Sequence, residues 1–168
     1  MTVSLTGFMG CGKSTVGKAL AELLGWEFLD LDEYVGHKIG RTAAAIIRES
    51  GEEYFRAVEA EAVRDIAMMQ SLTDRNLVLA LGGGTPTIGS IGHIIFGQTK
   101  CVYLRTSARI LKERLLAANS DRPLLEVASF EKLLGSRLPV YGKAEFVVDT
   151  DCRTAEEVAL EIEKLIKK

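Results

Sequence analysis

Short apolar runs alternate with stretches of helical spacing along this chain. Residues 3–5 form a brief apolar run that breaks at Gly7 and predict a buried strand. Residues 13–24 place Val16, Leu20, Leu23 and Leu24 at helical spacing and stop at Gly25. Residues 27–29 predict a second strand, and 32–39 a short helix ended by Gly40. Residues 42–69 carry a long helical pattern with a break at Ser50-Gly51. Residues 77–81 are a continuous apolar strand that runs into Gly82-Gly83-Gly84. Residues 101–104 predict a strand, 107–118 a helix, 119–125 a polar loop, and 130–141 a helix with a kink or end near Pro139. Residues 146–148 predict the last strand, and Thr154 with Glu157 forms a capping box for a helix reaching Ile166.

Strands that alternate with helices, and that read as apolar throughout, signal a parallel sheet covered on both faces. The expected fold is therefore α/β, a three-layer α/β/α sandwich around a parallel sheet of about five strands, in one domain spanning 1–168. Ligands of such sheets bind beyond the carboxyl ends of the strands.

The segment Gly7-Phe8-Met9-Gly10-Cys11-Gly12-Lys13-Ser14 sits at one of those ends and fits G-x-x-x-x-G-K-[ST] at every fixed position. Backbone N–H groups of Gly10, Cys11 and Gly12, with Thr15 beyond them, are placed to cradle phosphate oxygens at a helix N-terminus. Lys13 should reach the β- and γ-phosphates, and the Ser14 hydroxyl should ligate Mg²⁺. Cys11, before a helix N-terminus and near Lys13, is a candidate reactive thiol, or else a small filler at a free position of the motif. The motif specifies a nucleoside triphosphate and leaves the reaction open.

Most proteins with this loop hold Mg²⁺ through an Asp closing a nearby apolar strand. The strand at 77–81 ends in three glycines, which would let a ligand approach the backbone closely. Asp30 and Asp32 follow the second strand instead, and in extended chain their side chains would point the same way. Asp is also a favoured helix cap, so one of the two is open to that simpler reading.

Composition narrows the partners. With 21 Lys and Arg against 23 Asp and Glu, the net charge of -2 disfavours nucleic acid or an anionic membrane as partner. Cys11, Cys101 and Cys152 are scattered and include no C-x-x-C pair, which disfavours a disulfide framework or a zinc site and suits a reducing cytoplasm. No cationic segment precedes the first apolar run, so no signal peptide is expected. His37 and His93 have no evident partner and are read as structural or exposed.

Taken in order, the phosphate loop, Asp30-Leu31-Asp32, the segment Gly51-Glu52-Glu53-Tyr54-Phe55-Arg56-Ala57-Val58-Glu59, the triple glycine, Asp121-Arg122-Pro123-Leu124-Leu125 and Arg137-Leu138-Pro139-Val140-Tyr141 resemble the shikimate kinase family over essentially the whole chain. The resemblance implies a fold of the nucleoside-monophosphate-kinase-like group and transfer of the γ-phosphoryl of MgATP to the 3-hydroxyl of shikimate. It implies that Asp32 meets the attacking hydroxyl and takes its proton, and that Asp30 organises water around Mg²⁺. It gives Arg56 and Arg137 the substrate carboxylate, and Gly82, Gly83 and Gly84, chiefly Gly83, the substrate ring. Residues 32–69 would then be the substrate-binding helical region. Arg122 would sit in a mobile lid at 119–125 and contact the phosphates. Arg114 would stack on adenine, with the loop at 149–153, including Arg153, on its other side. Here Thr154 and Ala155 follow Arg153, where the family often has Pro. A cytoplasmic monomer acting on ATP and shikimate is expected.

Two other readings differ in testable features. A kinase for another small acid such as gluconate would share the phosphate loop without the F-R-x-x-E and R-x-P-x-Y segments. A GTP-dependent switch should show N-K-x-D, which this chain lacks.

Overall fold

The computed structural model describes residues 1–117 and 127–167. The expected lid and Arg122 lie outside the described residues.

Five parallel strands make one sheet in the order β2-β3-β1-β4-β5. They are β1 (Thr2–Thr6), β2 (Glu27–Asp30), β3 (Leu77–Ala80), β4 (Lys100–Arg105) and β5 (Phe146–Asp149). The helices are α1 (Lys13–Leu24), α2 (Leu31–Ile39), α3 (Ala43–Ser50), α4 (Glu52–Ser71), α5 (Gly92–Gly97), α6 (Ala108–Ala117), α7 (Val127–Tyr141) and α8 (Ala155–Ile166). One face of the sheet packs on α1, α6, α7 and α8 through Val16, Leu20, Leu111, Phe130, Tyr141 and Ile162. The other packs on α2 to α5 through Leu31, Ile46, Phe55, Val63, Ile66 and Ile95. The α/β/α expectation therefore holds.

Two expectations change on folding, and a third is refined. The central strand β1 is not apolar throughout. Ser4 and Thr6 alternate with Val3 and Leu5, and all four are fully buried. The Ser4 hydroxyl shares a 2.6 Å hydrogen bond with that of Thr99, which removes most of the cost of burying it. Helix α7 ends at Tyr141, two residues past Pro139, in keeping with the expected end near that proline. The ring crowds the carbonyl four residues back, at Gly135, and proline has no N–H to give it, which suits a position close to a helix end. The chain between β3 and β4 also forms two short 3₁₀ turns, Thr85–Thr87 and Gly89–Ile91, before α5. Nothing in the apolar pattern marked them, because each is under a full helical repeat.

The break at residue 51 and the capping box at Thr154 appear as expected. Gly51 adopts φ 88 between α3 and α4, a conformation that other residues rarely take. Thr154 accepts from the Glu157 N–H, and Glu157 returns a bond to the Thr154 N–H at 2.8 Å. Among the described residues, no helix is long and apolar enough to cross a membrane.

Candidate active site

The phosphate loop connects β1 to α1 at the carboxyl end of the sheet, with Gly12 at φ 96 as the residue before the helix. A side chain there would be strained, so glycine is required by backbone conformation. Lys13 folds back across the loop, and its ammonium donates to the carbonyls of Gly7 at 2.9 Å and Phe8 at 3.1 Å. This holds the cation over the loop, beside the N-terminus of α1, a place suited to an anion.

Cys11 lies underneath the loop. It is 2% exposed, and a Cβ added at Gly7 would come within 2.7 Å of its Sγ. The reactive-thiol reading is therefore corrected. The side chain fills space beside Gly7, with its Sγ 3.8 Å from the Lys13 ammonium, and burial leaves the thiol little access to solvent.

Asp30 closes β2 and caps α2, accepting from the N–H groups of Asp32 at 3.0 Å and Glu33 at 3.4 Å. The same carboxylate accepts from the Ser14 hydroxyl at 2.5 Å. Asp30 is thus the helix cap of the simpler reading, and its carboxylate also stands beside Ser14. The expectation that Asp30 and Asp32 share a face in extended chain needs correction, because Asp32 stands in the first turn of α2. The two still converge, since the helix turns Asp32 over the same cleft. That cleft, about 240 Å³, is lined by Met9, Lys13, Ser14, Asp30, Asp32 and Gly83.

Hydroxyl and carboxylate oxygens around a phosphate loop suit a hard cation such as Mg²⁺. Among the described residues, no group of three or more acidic, His or Cys side chains could hold a metal. A cation held mostly by nucleotide phosphates and water, with Ser14 and Asp30 beside it, fits this donor set.

Each residue of the triple glycine faces a different functional group. A Cβ added at Gly82 would lie 2.6 Å from Glu59 Oε1 and 3.1 Å from Asp32 Oδ1. At Gly83 it would lie 3.3 Å from both Arg137 Nη1 and the Met9 backbone nitrogen, and at Gly84 it would fall onto the Arg56 guanidinium. None of the three has the positive φ that would require glycine. The requirement is for space, since the arginines and the phosphate loop close on this turn from different sides.

Arg56 and Arg137 come together at the turn but differ in electrostatics. Arg56 pairs with buried Glu59 on its own helix and with exposed Glu52 at 3.0 Å. Arg137 is 8% exposed, forms no ion pair among the described residues, and leaves Nη1 buried without a hydrogen-bond partner there. A buried guanidinium that lacks an anion is costly, so the site calls for one.

Two residues with no role assigned from the sequence support this arrangement. Glu59 is fully buried, accepting from Thr85 Oγ1 at 2.6 Å and from Arg56. Its i,i+3 spacing from Arg56 and its place at the end of the F-R-x-x-E segment were the available signals. Tyr141, one helical turn after Arg137, is fully buried and donates to the Gly83 carbonyl at 2.6 Å. Burial pushes its phenol up to about 12, so it stays a donor at neutral pH.

Burial also raises the Glu59 carboxyl above its ordinary 4.5, against the opposing pull of Thr85 and Arg56. A carboxyl raised by folding supports stability below its unfolded pKa, and that support is lost as pH rises through the folded value. Glu59→Gln should therefore destabilise the protein by about 1–3 kcal/mol at pH 4.5, and the deficit should narrow toward neutrality. Urea midpoints of both proteins across that range check this. A deficit that widens with pH would show that the Arg56 contact outweighs burial.

On the nucleotide side, a cavity of about 400 Å³ is lined by Gly10, Gly12, Thr15, Arg114, Arg153 and Thr154, among others. Arg114 donates to the Gly10 carbonyl at 3.0 Å, tying α6 to the phosphate loop. Arg153 spends its donors on Glu161 and on the carbonyls of Asp149 and Glu157. It forms wall rather than a free charge. His37 and His93 are exposed, as expected.

A phosphate loop after the first strand, a carboxylate over its mouth and an anion-demanding turn beside it define a P-loop phosphotransferase for a small acceptor. A family model described as shikimate kinase matches residues 9–167. The shikimate kinase of Thermus thermophilus is 42% identical, covering 97% of this chain and 89% of that protein. That of Moorella thermoacetica is 39% identical over 98% of this chain and 94% of its own. The structure of shikimate kinase from Acinetobacter baumannii in complex with shikimate superposes with a TM-score of 0.88 at 34% identity, covering 99% of this chain and 92% of that one. The chain belongs to the shikimate kinase family and is an ATP-dependent kinase.

Proposed function

We propose that this chain transfers the γ-phosphoryl group of MgATP to the 3-hydroxyl of shikimate, releasing ADP, as a cytoplasmic enzyme, with all of 1–168 acting as one catalytic domain. The observation that carries the reading is the meeting of Arg137, Arg56 and Asp32 on the triple glycine, with Gly83 against the phosphate loop. An acceptor whose carboxylate meets the arginines would place a ring hydroxyl between Asp32 and the γ-phosphate.

In this reading Asp32 orients the acceptor hydroxyl and receives its proton as the oxygen bonds to phosphorus and ADP departs. Phosphoryl transfer asks the protein mainly for alignment and charge neutralisation. Lys13 supplies positive charge within the loop, and Gly10, Cys11, Gly12 and Thr15 bind phosphate through backbone groups. Mg²⁺, when bound beside Ser14 and Asp30, neutralises phosphate charge. Arg114 is assigned to the adenine face and Arg153 to the opposite wall. Arg122, outside the described residues, is assigned to the phosphates on the resemblance alone. Residues 32–69 supply Asp32 and Arg56 and form the acceptor-binding region.

The arginines should act unequally. Arg56 is already offset by Glu59, whereas Arg137 has no acidic partner among the described residues. Removing one charge-assisted bond costs roughly 10–100-fold in kcat/KM. Arg137→Ala should stand at the upper end for shikimate and Arg56→Ala at the lower. ADP release with shikimate, its methyl ester, gluconate and a nucleoside monophosphate tests the acceptor. Wild type should use the ester poorly, because it keeps the ring and hydroxyls but lacks the charge. Equal use of acid and ester would overturn the carboxylate clamp.

A further inference from the structure

Phosphate binding explains the glycines, Lys13 and Ser14 of the loop, but not Phe8. The motif leaves that position free, and yet Phe8 is 1% exposed. It lines neither cavity beside the phosphate loop. It meets two residues of α7. Phe130 packs edge-on at 5.2 Å between centroids, with planes at 76°. The Arg137 guanidinium lies over the ring, its Cζ 5.4 Å from the centroid.

These contacts bear on the one buried cation that lacks an acidic partner among the described residues. Arg137 needs a surface that tolerates its charge and holds its plane, because a guanidinium delivers its donors in a fixed fork. An aromatic face does both, and its attraction for a cation is strongest where water is excluded. Phe130 braces the ring from its edge. Nη1 of Arg137 remains near the Gly83 turn, without a hydrogen-bond partner.

We propose that Phe8 is a positioning residue for the acceptor site: the phosphate loop's own aromatic side chain orients the Arg137 guanidinium and thereby sets the preference for an anionic acceptor. This rests on the reading that Arg137 meets the acceptor carboxylate. It makes the phosphate loop bifunctional, with backbone turned to the nucleotide and one side chain turned to the acid. Leucine at this position would fill much of the space but offer no ring face, so the guanidinium would lose its support.

The test is the ratio of kcat/KM for shikimate to that for its methyl ester, in wild type, Phe8→Leu, Arg137→Ala and the double variant. Both substrates report on the same folded fraction, so partial unfolding cancels from the ratio. Phe8→Leu should lower the ratio by about ten- to thirty-fold, chiefly through the KM for the acid, from the strength of a desolvated cation–π contact. MgADP affinity should stay within about three-fold of wild type, because backbone groups carry that contact. In the Arg137→Ala background Phe8→Leu should leave the ratio unchanged, as expected of residues that act as one unit. If Phe8→Leu does not fold, Phe8→Met is judged by the same ratio. A wild-type ratio in the folded Phe8 variant, or an undiminished further loss in the double variant, overturns the proposal. Wild type that does not discriminate acid from ester would instead sink the acceptor reading beneath it.

Discussion

Lys13→Ala should fold normally and turn over about 10²–10³-fold more slowly than wild type, the usual loss when one preorganised charge contact is removed from a transition state. The geometry makes the substitution clean. Lys13 stands at the start of α1, where alanine favours the helix at least as well as lysine does. Its ammonium bonds two backbone carbonyls of the loop and, among the described residues, forms no ion pair whose loss would strand a buried carboxylate. Thermal stability should therefore change little. The lost charge acts on the phosphoryl group in flight more than on the resting nucleotide, so kcat should fall further than ADP affinity. Steady-state kinetics, calorimetric ADP binding and a melting curve on one preparation separate these effects. Near-normal turnover in a folded Lys13→Ala protein would contradict the assignment of the loop.

Asp32→Asn should reduce kcat by about 10²–10⁴-fold, the range for loss of a general base, while nucleotide affinity stays close to wild type. Asparagine keeps the volume of aspartate at the crowded Gly82, where a Cβ would already lie 3.1 Å from Asp32 Oδ1. It cannot accept the hydroxyl proton as a carboxylate does. Asp30 gives the contrast. Its carboxylate caps α2 and accepts from Ser14, and since asparagine keeps a capping oxygen, Asp30→Asn should chiefly disturb metal-dependent nucleotide binding. Measuring MgADP affinity and kcat for both variants distinguishes the two aspartates. Loss of MgADP affinity with preserved turnover in Asp32→Asn would reverse their roles.

The two carboxylates also show where sequence reasoning reached its limit. Their position after β2 was legible, because a strand, a polar pair and a helical pattern follow one another directly. That both face the cleft was a correct expectation with the wrong warrant. It assumed extended chain, whereas helix α2 already begins at Leu31. Cys11 shows the same limit in the other direction. Proximity to Lys13 and to a helix start suggested reactivity, but accessibility depends on which way the loop turns, and it turns the thiol inward.

Local signals settled most of the elements, though not the short turns and helix α5 between β3 and β4. Phosphate-loop spacing, strand–helix alternation, Gly51 as a helix break and the Thr154 capping box each act within a few residues, so the amino-acid order specifies them directly. The order of motifs likewise identified the chemistry and nominated Lys13, Asp32, Arg56 and Arg137. What the order could not settle was how these groups compensate one another. Glu59 neutralises Arg56, Tyr141 holds the Gly83 carbonyl, and Phe8 lies under Arg137 across more than a hundred residues of chain. The triple glycine read as a place for a ligand to approach the backbone, and the folded chain adds which groups close on it: Glu59, Thr85 and Asp32 at Gly82, Arg137 at Gly83 and Arg56 at Gly84. Burial, charge balance and van der Waals room arise only when distant segments pack together. Tertiary structure therefore decided which arginine is left without an anion among the described residues, and so which one most demands one.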